Sequence, residues 1–211
     1  MLRQLAKRMV PNAVIRRRIG RKAANSILLT FDDGPHRDLT PQILDILAEY
    51  DALALFFVVG EHVLQHPEIA RAIVKKGHLL GNHTYDHPNT DMPSLGDYRA
   101  DIARCQHIIR NTTGVEPKFF RSARGVIKLR GLVAARLAGL RSLFWASEGG
   151  EWGMNRDKDR TEIIESLLTT IEPGDIVLLH DDHPEMPQIL GSILPELIAR
   201  GFDMRNGIRL L

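Results

Sequence analysis

Ile27-Leu28-Leu29-Thr30-Phe31-Asp32-Asp33-Gly34-Pro35, residues 27–35, carries an apolar run straight into two adjacent carboxylates and a Gly-Pro turn. A short apolar run bounded by a turn reads as a buried strand. The paired carboxylates can be a polar loop capping a helix. They can also divide labour, one binding a cation while its neighbour stays free as a general base.

Working outward, strand-like runs recur at Leu53–Val59, His78–Gly81, Lys118–Phe120, Leu140–Trp145, Asp175–Leu179 and Phe202–Met204, with helical patterns between them. Pro41 opens a pattern of Ile43, Leu44, Ile46 and Leu47, and Gly77 follows Ile69, Ile73 and Val74 where a helix C-terminus favours glycine. Ser94 with Asp97 resembles a capping box ahead of a helix that Gly114 closes, and Gly201 ends another. Such alternation predicts an α/β fold, an irregular (β/α) barrel of about seven parallel strands with outer helices, against an open doubly wound sheet.

A chain of 211 residues, 44% hydrophobic, suits one globular unit. The longest apolar run, Ala52–Val59, is far short of a membrane span. With no signal-peptide pattern, the expected compartment is the cytoplasm. The single cysteine, Cys105, sits in a helix-like pattern and reads as an inert core thiol. Residues 1–31 hold Arg3, Lys7, Arg8, Arg16, Arg17, Arg18, Arg21 and Lys22 and no acid, so the remainder is net acidic. The organisation expected is a basic N-terminal extension over 1–25 and one globular domain over 26–211. Leu2, Leu5 and Met9 allow a short amphipathic helix on the inner face of an anionic membrane, ended by Pro11; a solvated N-terminus is the alternative. An acidic domain without aromatic-basic interleaving predicts no nucleic-acid binding.

Chemistry-bearing residues gather just after the strand-like runs: Asp32 and Asp33, His83, Arg121, Glu148 and Glu151, and His180. In parallel α/β folds the carboxyl ends of the strands form the functional face. His83-Thr84-Tyr85-Asp86-His87 sets two imidazoles at i and i+4, stacked if the stretch is helical and bridgeable by one cation. Nine histidines make such a pair an ordinary coincidence, but Asp33 adds a carboxylate and completes a ligand set that leaves positions open for water and substrate. His36, His62, His66 and His107 read as loop or exposed helix positions, and His183 as a turn near the site.

These segments together resemble the polysaccharide deacetylases, the NodB homology domain or carbohydrate esterase family four, over roughly residues 26–211. Thr30–Pro35 is similar to the family's first motif, implying Asp32 as catalytic base and Asp33 as metal ligand. His83–His87 is similar to the second, implying His83 and His87 on the metal. Ile176–Asp181 is similar to the last, implying His180 as general acid and Leu178 as a wall of the acyl pocket. Ala54–Gly60 and Gly77–Asn82 read like intervening strands. Two segments depart. The third motif runs arginine, two prolines, an aromatic and glycine in the family but Arg121-Ser122-Ala123-Arg124-Gly125 here. Arg121 is implied to pair with Asp32, and the Arg124 N–H to face the oxyanion, with Gly125 beside it. The fourth motif ends in Glu151-Trp152 instead of aspartate-tryptophan, implying Glu151 against the histidine acid, with Glu148 the other candidate, and Trp152 along the substrate groove.

The implied reaction is hydrolysis of an N-acetyl group on an amino sugar of a polysaccharide or oligosaccharide, assisted by one divalent metal ion, zinc by default with cobalt, manganese or nickel also suited. A cationic Arg124 at the rim suggests an anionic substrate, the alternative being that its side chain points to solvent. The alternatives are a deacetylase or deformylase of a lipid-linked or nucleotide-linked amino sugar, and an inactive glycan-binding relative.

Overall fold

The computed structural model describes residues 15–20, 24–87, 94–152 and 158–211. The elements run β1 (Leu28–Asp32), α1 (Leu39–Glu49), β2 (Ala54–Val58), α2 (Gly60–Gln65), α3 (Pro67–Lys75), β3 (Leu79–Asn82), α4 (Leu95–Thr113), β4 (Phe119–Phe120), a 3-10 turn at Ala123–Gly125, α5 (Leu129–Leu137), β5 (Arg141–Ser142), β6 (Ser147–Glu148), α6 (Arg160–Thr170), β7 (Ile176–His180), α7 (Met186–Ala199) and a 3-10 turn at Gly207–Leu210. Seven strands lie in the order β5-β4-β3-β2-β1-β7-β6, every pairing parallel. The sheet curls into a barrel open between β5 and β6, with helices outside.

Every residue of β1, β2 and β7 is buried, which is why these strands read as unbroken apolar runs. Alternation divides their side chains between two cores. Leu29, Phe31, Phe56, Val58, Val177 and Leu179 face the helices. Leu28, Leu55, Phe57 and Ile176 face the interior with Phe119 and Leu143. Each such fully buried aliphatic or aromatic side chain contributes about 1.5–3 kcal/mol. The interior parity continues Leu28–Thr30–Asp32 and Ile176–Leu178–His180, so the alternation that fills the barrel also points Asp32 and His180 into its mouth.

The helix ends follow their punctuation. Ser94 and Asp97 form a reciprocal capping box on α4, and Gly114 ends it at φ 74°. Asp159 and Glu162 do the same for α6.

Three expectations change. Phe202–Met204 is not a strand: Asp203 makes one bridge to Ser26, and its carboxylate then accepts from the N–H groups of Arg205 and Asn206, turning the chain into the final 3-10 turn. Leu140–Trp145 is not one strand either. Its ladder with β4 ends at Ser142, and Leu143 bridges instead to Arg16, while the Arg121 guanidinium takes the carbonyls of Leu143 (3.1 Å) and Phe144 (3.2 Å). The chain then crosses the opening and starts β6 on the opposite edge.

The third change concerns residues 15–19, placed by the sequence in an extension. Ile15 and Ile19 are fully buried. Arg16 N–H donates to Ser142 O and Phe144 N–H to Arg16 O, while Ile176 N–H donates to Arg17 O and Ile19 N–H to Gly174 O. This segment therefore spans from the chain beyond β5 to the start of β7, within the barrel wall. The amphipathic pattern at Leu2, Leu5 and Met9 lies outside the described residues.

Candidate active site

Asp33 follows β1 with φ 77°, which swings its side chain sideways across the mouth. Its Oδ1 lies 3.2 Å from His83 Nε2 and 3.1 Å from His87 Nε2. β2 lies between β1 and β3, so Asp33 and His83 meet across one intervening strand. The histidines are not on a helix: residues 83–87 form a loop in which Thr84 (φ 73°) and His87 (φ 48°) are left-handed, and the rings sit 5.1 Å apart. The i, i+4 spacing thus reaches the predicted meeting by another backbone path. Among the described residues, six non-glycine positions have positive φ, and Asp33, Thr84, His87 and Arg124 all lie at this mouth. Concentrated backbone strain of this kind marks a functional site.

The trio suits a cation. Asp33 Oδ1 is buried with no hydrogen-bond partner, and the three candidate ligand atoms lie within 4.8 Å of one another. His83 donates from Nδ1 to the Arg121 carbonyl at 2.8 Å, which aims Nε2 at Asp33. Burial disfavours its charged form, but the Asp32 and Asp33 carboxylates outweigh this and raise its pKa. Burial opposes ionisation of Asp33, but His83 and His87 outweigh it and hold its carboxyl well below the usual range. Burial and the adjacent His83 push His87 down to about 4, so it stands neutral, as a metal ligand must.

Asp32 is 4% exposed, with Oδ2 3.7 Å from His83 Nε2 and Oδ1 turned to Arg121. Arg121 NH1 donates to its Oδ1 at 2.7 Å and to the Thr30 hydroxyl at 2.8 Å, which in turn donates to Val177 O at 2.6 Å. The guanidinium is fully buried, with Phe57 4.2 Å beneath it. Together with the Leu143 and Phe144 carbonyls, these contacts fix its plane and aim one charged edge at Asp32.

His180, the last residue of β7, places Nδ1 3.0 Å from Glu151 Oε1. Burial lowers the imidazole pKa, but the Glu151 hydrogen bond and charge overcome this and raise it to about 9. The structure separates the two glutamates: Glu151 reaches His180, while Glu148 accepts the indole N–H groups of Trp145 (2.8 Å) and Trp152 (2.9 Å). Trp152 stands 6.0 Å from the His180 ring, half-buried at the rim. Leu178 is buried under both indoles.

Arg124 is exposed, in the left-handed region at φ 56°, and its charge acts on His87. Gly125 at φ 59° lies against Trp145, where a Cβ would come within 2.2 Å of the indole. Glycine is required there for space as well as for conformation.

Several residues at the site escaped the sequence. Trp145 was part of a presumed strand, and only the glycine beside it hinted at close packing. His62 donates from Nδ1 to the Asp33 carbonyl at 2.7 Å, where an exposed helix position was expected. Asp181 receives the Thr40 hydroxyl at 2.6 Å behind Gly34, a position where a Cβ would strike its carboxyl. Burial lifts the Asp181 carboxyl to about 8. His36 accepts from the N–H groups of Asp38 and Leu39 at the start of α1, and His183 accepts from Glu185 N–H in a turn.

The family model described as polysaccharide deacetylase matches residues 20–143. The chain belongs to the polysaccharide deacetylase family. It is 31% identical over 214 residues to a chitooligosaccharide deacetylase of Bradyrhizobium sp. (strain ANU 289), covering 92% of this chain and 95% of that one. It is 33% identical over 180 residues to a peptidoglycan-N-acetylglucosamine deacetylase of Bacillus cereus, covering 83% and 64%. A crystal structure of a peptidoglycan N-acetylglucosamine deacetylase, in complex with 4-naphthalen-1-yl-N-oxidanyl-benzamide, superposes with a TM-score of 0.82 at 30% identity, covering 92% and 91%. As a polysaccharide deacetylase, the chain is a hydrolase that N-deacetylates glycans.

Proposed function

We propose that this deacetylase hydrolyses the N-acetyl amide of amino sugars in an oligosaccharide or polysaccharide, with a divalent metal held by Asp33, His83 and His87. The observation that carries the reading is the buried, partnerless Asp33 Oδ1 between two imidazole Nε2 atoms, with the Arg121-paired Asp32 on one side and the Glu151-paired His180 on the other. When bound, the metal supplies Lewis acidity to the amide oxygen and lowers the pKa of a water. Asp33 is committed as a ligand, so Asp32 takes the proton from the attacking water. Arg121 keeps Asp32 oriented. The Arg124 N–H and the rim around Gly125 face the developing oxyanion. His180, kept protonated by Glu151, gives its Nε2 proton to the departing amine, and Trp152 and Leu178 border the acyl and sugar positions. Zinc is the expected metal, since a His-His-carboxylate set binds it well; cobalt, manganese and nickel fit the same donors.

The test measures metal content and acetate release from N-acetylated chitooligosaccharides and peptidoglycan fragments. Asp32→Asn should retain the metal and lose about 10²–10⁴-fold in turnover. His87→Ala should lose both. Near-normal turnover in the Asp32 variant would refute the assignment.

The exposed Arg124 motivates a second reading, an amino sugar bearing phosphate or carboxylate on a lipid or nucleotide carrier. Arg124→Ala should then impair anionic substrates only; equal effects on neutral and anionic substrates reject this reading.

A further inference from the structure

Six large hydrophobic side chains are exposed among the described residues: Leu64, Val126, Leu129, Val133, Leu137 and Ile198. Four of them fall within twelve residues, at and around α5. Leu129 (76% exposed), Val133 (37%) and Leu137 (62%) recur every fourth residue and form one stripe along the helix. The opposite face of α5 already packs inward through Gly131, Leu132, Ala134 and Ala135, so the outer stripe is surplus to the fold. Between it and α4 runs a shallow groove of about 370 Å³, lined mainly by Arg99, Ala100, Ala103, Ala134 and Leu137.

Along the α5 segment itself the charge is one-sided, while α4 across the groove sets Asp97 beside Arg99. From Pro117 to Ser147 the chain holds seven cations and no acid. Arg121 is buried in the site and Arg141 donates to Leu211 O at 2.7 Å, whereas Lys118, Arg124, Lys128, Arg130 and Arg136 are exposed. An apolar stripe set among cations is the pattern of a helix that lies on an anionic lipid surface, its leucines in the headgroup boundary and its basic side chains among the headgroups.

Charge also decides against the other occupants. A second copy packed α5 against α5 would set Arg130 and Arg136 against their own images. Residues 1–14 carry Arg3, Lys7 and Arg8 and no acid, and they join the described body at Ile15, packed with Leu132 of α5. Their charge has the same sign as the patch, so they are not a complementary occupant for it.

We propose that α5 and its flanking cations dock this enzyme on an anionic lipid bilayer. The patch continues into the site: Val126 and α5 directly follow Arg124 and Gly125 at the mouth. Docked this way, the enzyme presents its rim to glycans held at that surface. This use of the patch rests on the deacetylase reading above, whereas the docking itself is measured separately.

The experiment is co-sedimentation of the full, metal-loaded chain with vesicles of phosphatidylglycerol and phosphatidylcholine, and with phosphatidylcholine vesicles as the neutral arm. The chain should bind the anionic vesicles and not the neutral ones, and salt should weaken binding. Leu129→Glu with Leu137→Glu should reduce binding about tenfold or more, with unchanged elution volume and unchanged acetate release from a soluble N-acetylated oligosaccharide. Lys128→Glu with Arg136→Glu should reduce it as well. The proposal is overturned if the leucine variant binds as tightly as the parent, since residues 1–14 or charge alone then suffice. It is overturned equally if the parent ignores anionic vesicles, if the leucine variant converts an oligomer to a monomer, or if it loses turnover of the soluble substrate. Vesicle binding by a chain inactive on every acylated glycan would support the docking while rejecting the deacetylase reading.

Discussion

Strands β1, β2, β3 and β7 run four or five residues each and pair along their whole length, whereas β4, β5 and β6 are two residues long. The long strands carry Asp32, Asp33, His83 and His180. The short ones carry Arg121, Arg124, Trp145, Glu148, Glu151 and Trp152. On the first side, backbone ladders fix the positions from which side chains project. On the second, side chains hold the backbone: Arg121 binds the Leu143 and Phe144 carbonyls, and Glu148 gathers two indoles. The ladder side therefore tolerates loss of a single side-chain contact, and the other side does not.

Arg121→Ala should break this contrast most severely. It removes the guanidinium from two carbonyls, Thr30 and Asp32, and leaves a buried carboxylate unpaired, at a cost of about 3–5 kcal/mol in denaturant unfolding. Gly125→Ala comes next. Its Cβ meets Trp145 at 2.2 Å in a left-handed backbone, for about 2–4 kcal/mol and a visible change in tryptophan emission.

Glu151→Gln tests the same side through acidity. A general acid must be protonated; with its pKa at about 9, His180 serves below that value and turnover falls as pH rises through it. Without the Glu151 carboxylate, burial is opposed only by the charges of Asp32 and Asp33, so the alkaline limb should move down from about 9 toward the ordinary histidine value of roughly 6.5. Turnover at pH 8 should drop about 10–100-fold, while rates at the acidic end converge with the parent. A limb that stays near 9 would assign it to another group. The smallest effect is expected on the ladder side. Thr30→Val removes a hydroxyl held between Arg121 and Val177 O in an otherwise intact strand, costing about 1–2 kcal/mol with turnover changed less than by Glu151→Gln.

The same division explains what was legible in the sequence. Ile27–Phe31, Ala54–Val58 and Asp175–Leu179 are apolar because both faces are covered, and the run itself announces the strand. Caps such as Ser94–Asp97 and Gly114 are local signals and read correctly. Asp33, His83 and His87 were nameable as a group, but not their path. Spacing of four suggests a helix, whereas two left-handed residues at Thr84 and His87 make the turn. Arg16 and Arg121 together defeated the reading of Leu140–Trp145, because the bridge to Leu143 and the claim on two carbonyls come from far along the chain. Neither Glu148 nor Glu151 could be assigned to His180 from spacing, since both follow the same short strand and only the indoles separate them. Trp145, Thr40 and Asp181 depend on contacts that no local pattern encodes.

The segment Arg16–Ile19 bears on how the molecule comes into being. It is among the first parts of the described chain to be synthesised, yet its bonding partners at Ser142, Phe144, Gly174 and Ile176 are more than a hundred residues later. Pairings of such long sequence separation form slowly, because the entropy of closing the intervening chain must be met before any contact rewards it. The barrel wall therefore stays open through most of synthesis, with Ile15 and Ile19 unburied until β7 is available. A refolding experiment with a probe at Ile19 should see this closure as the last structural event before activity returns.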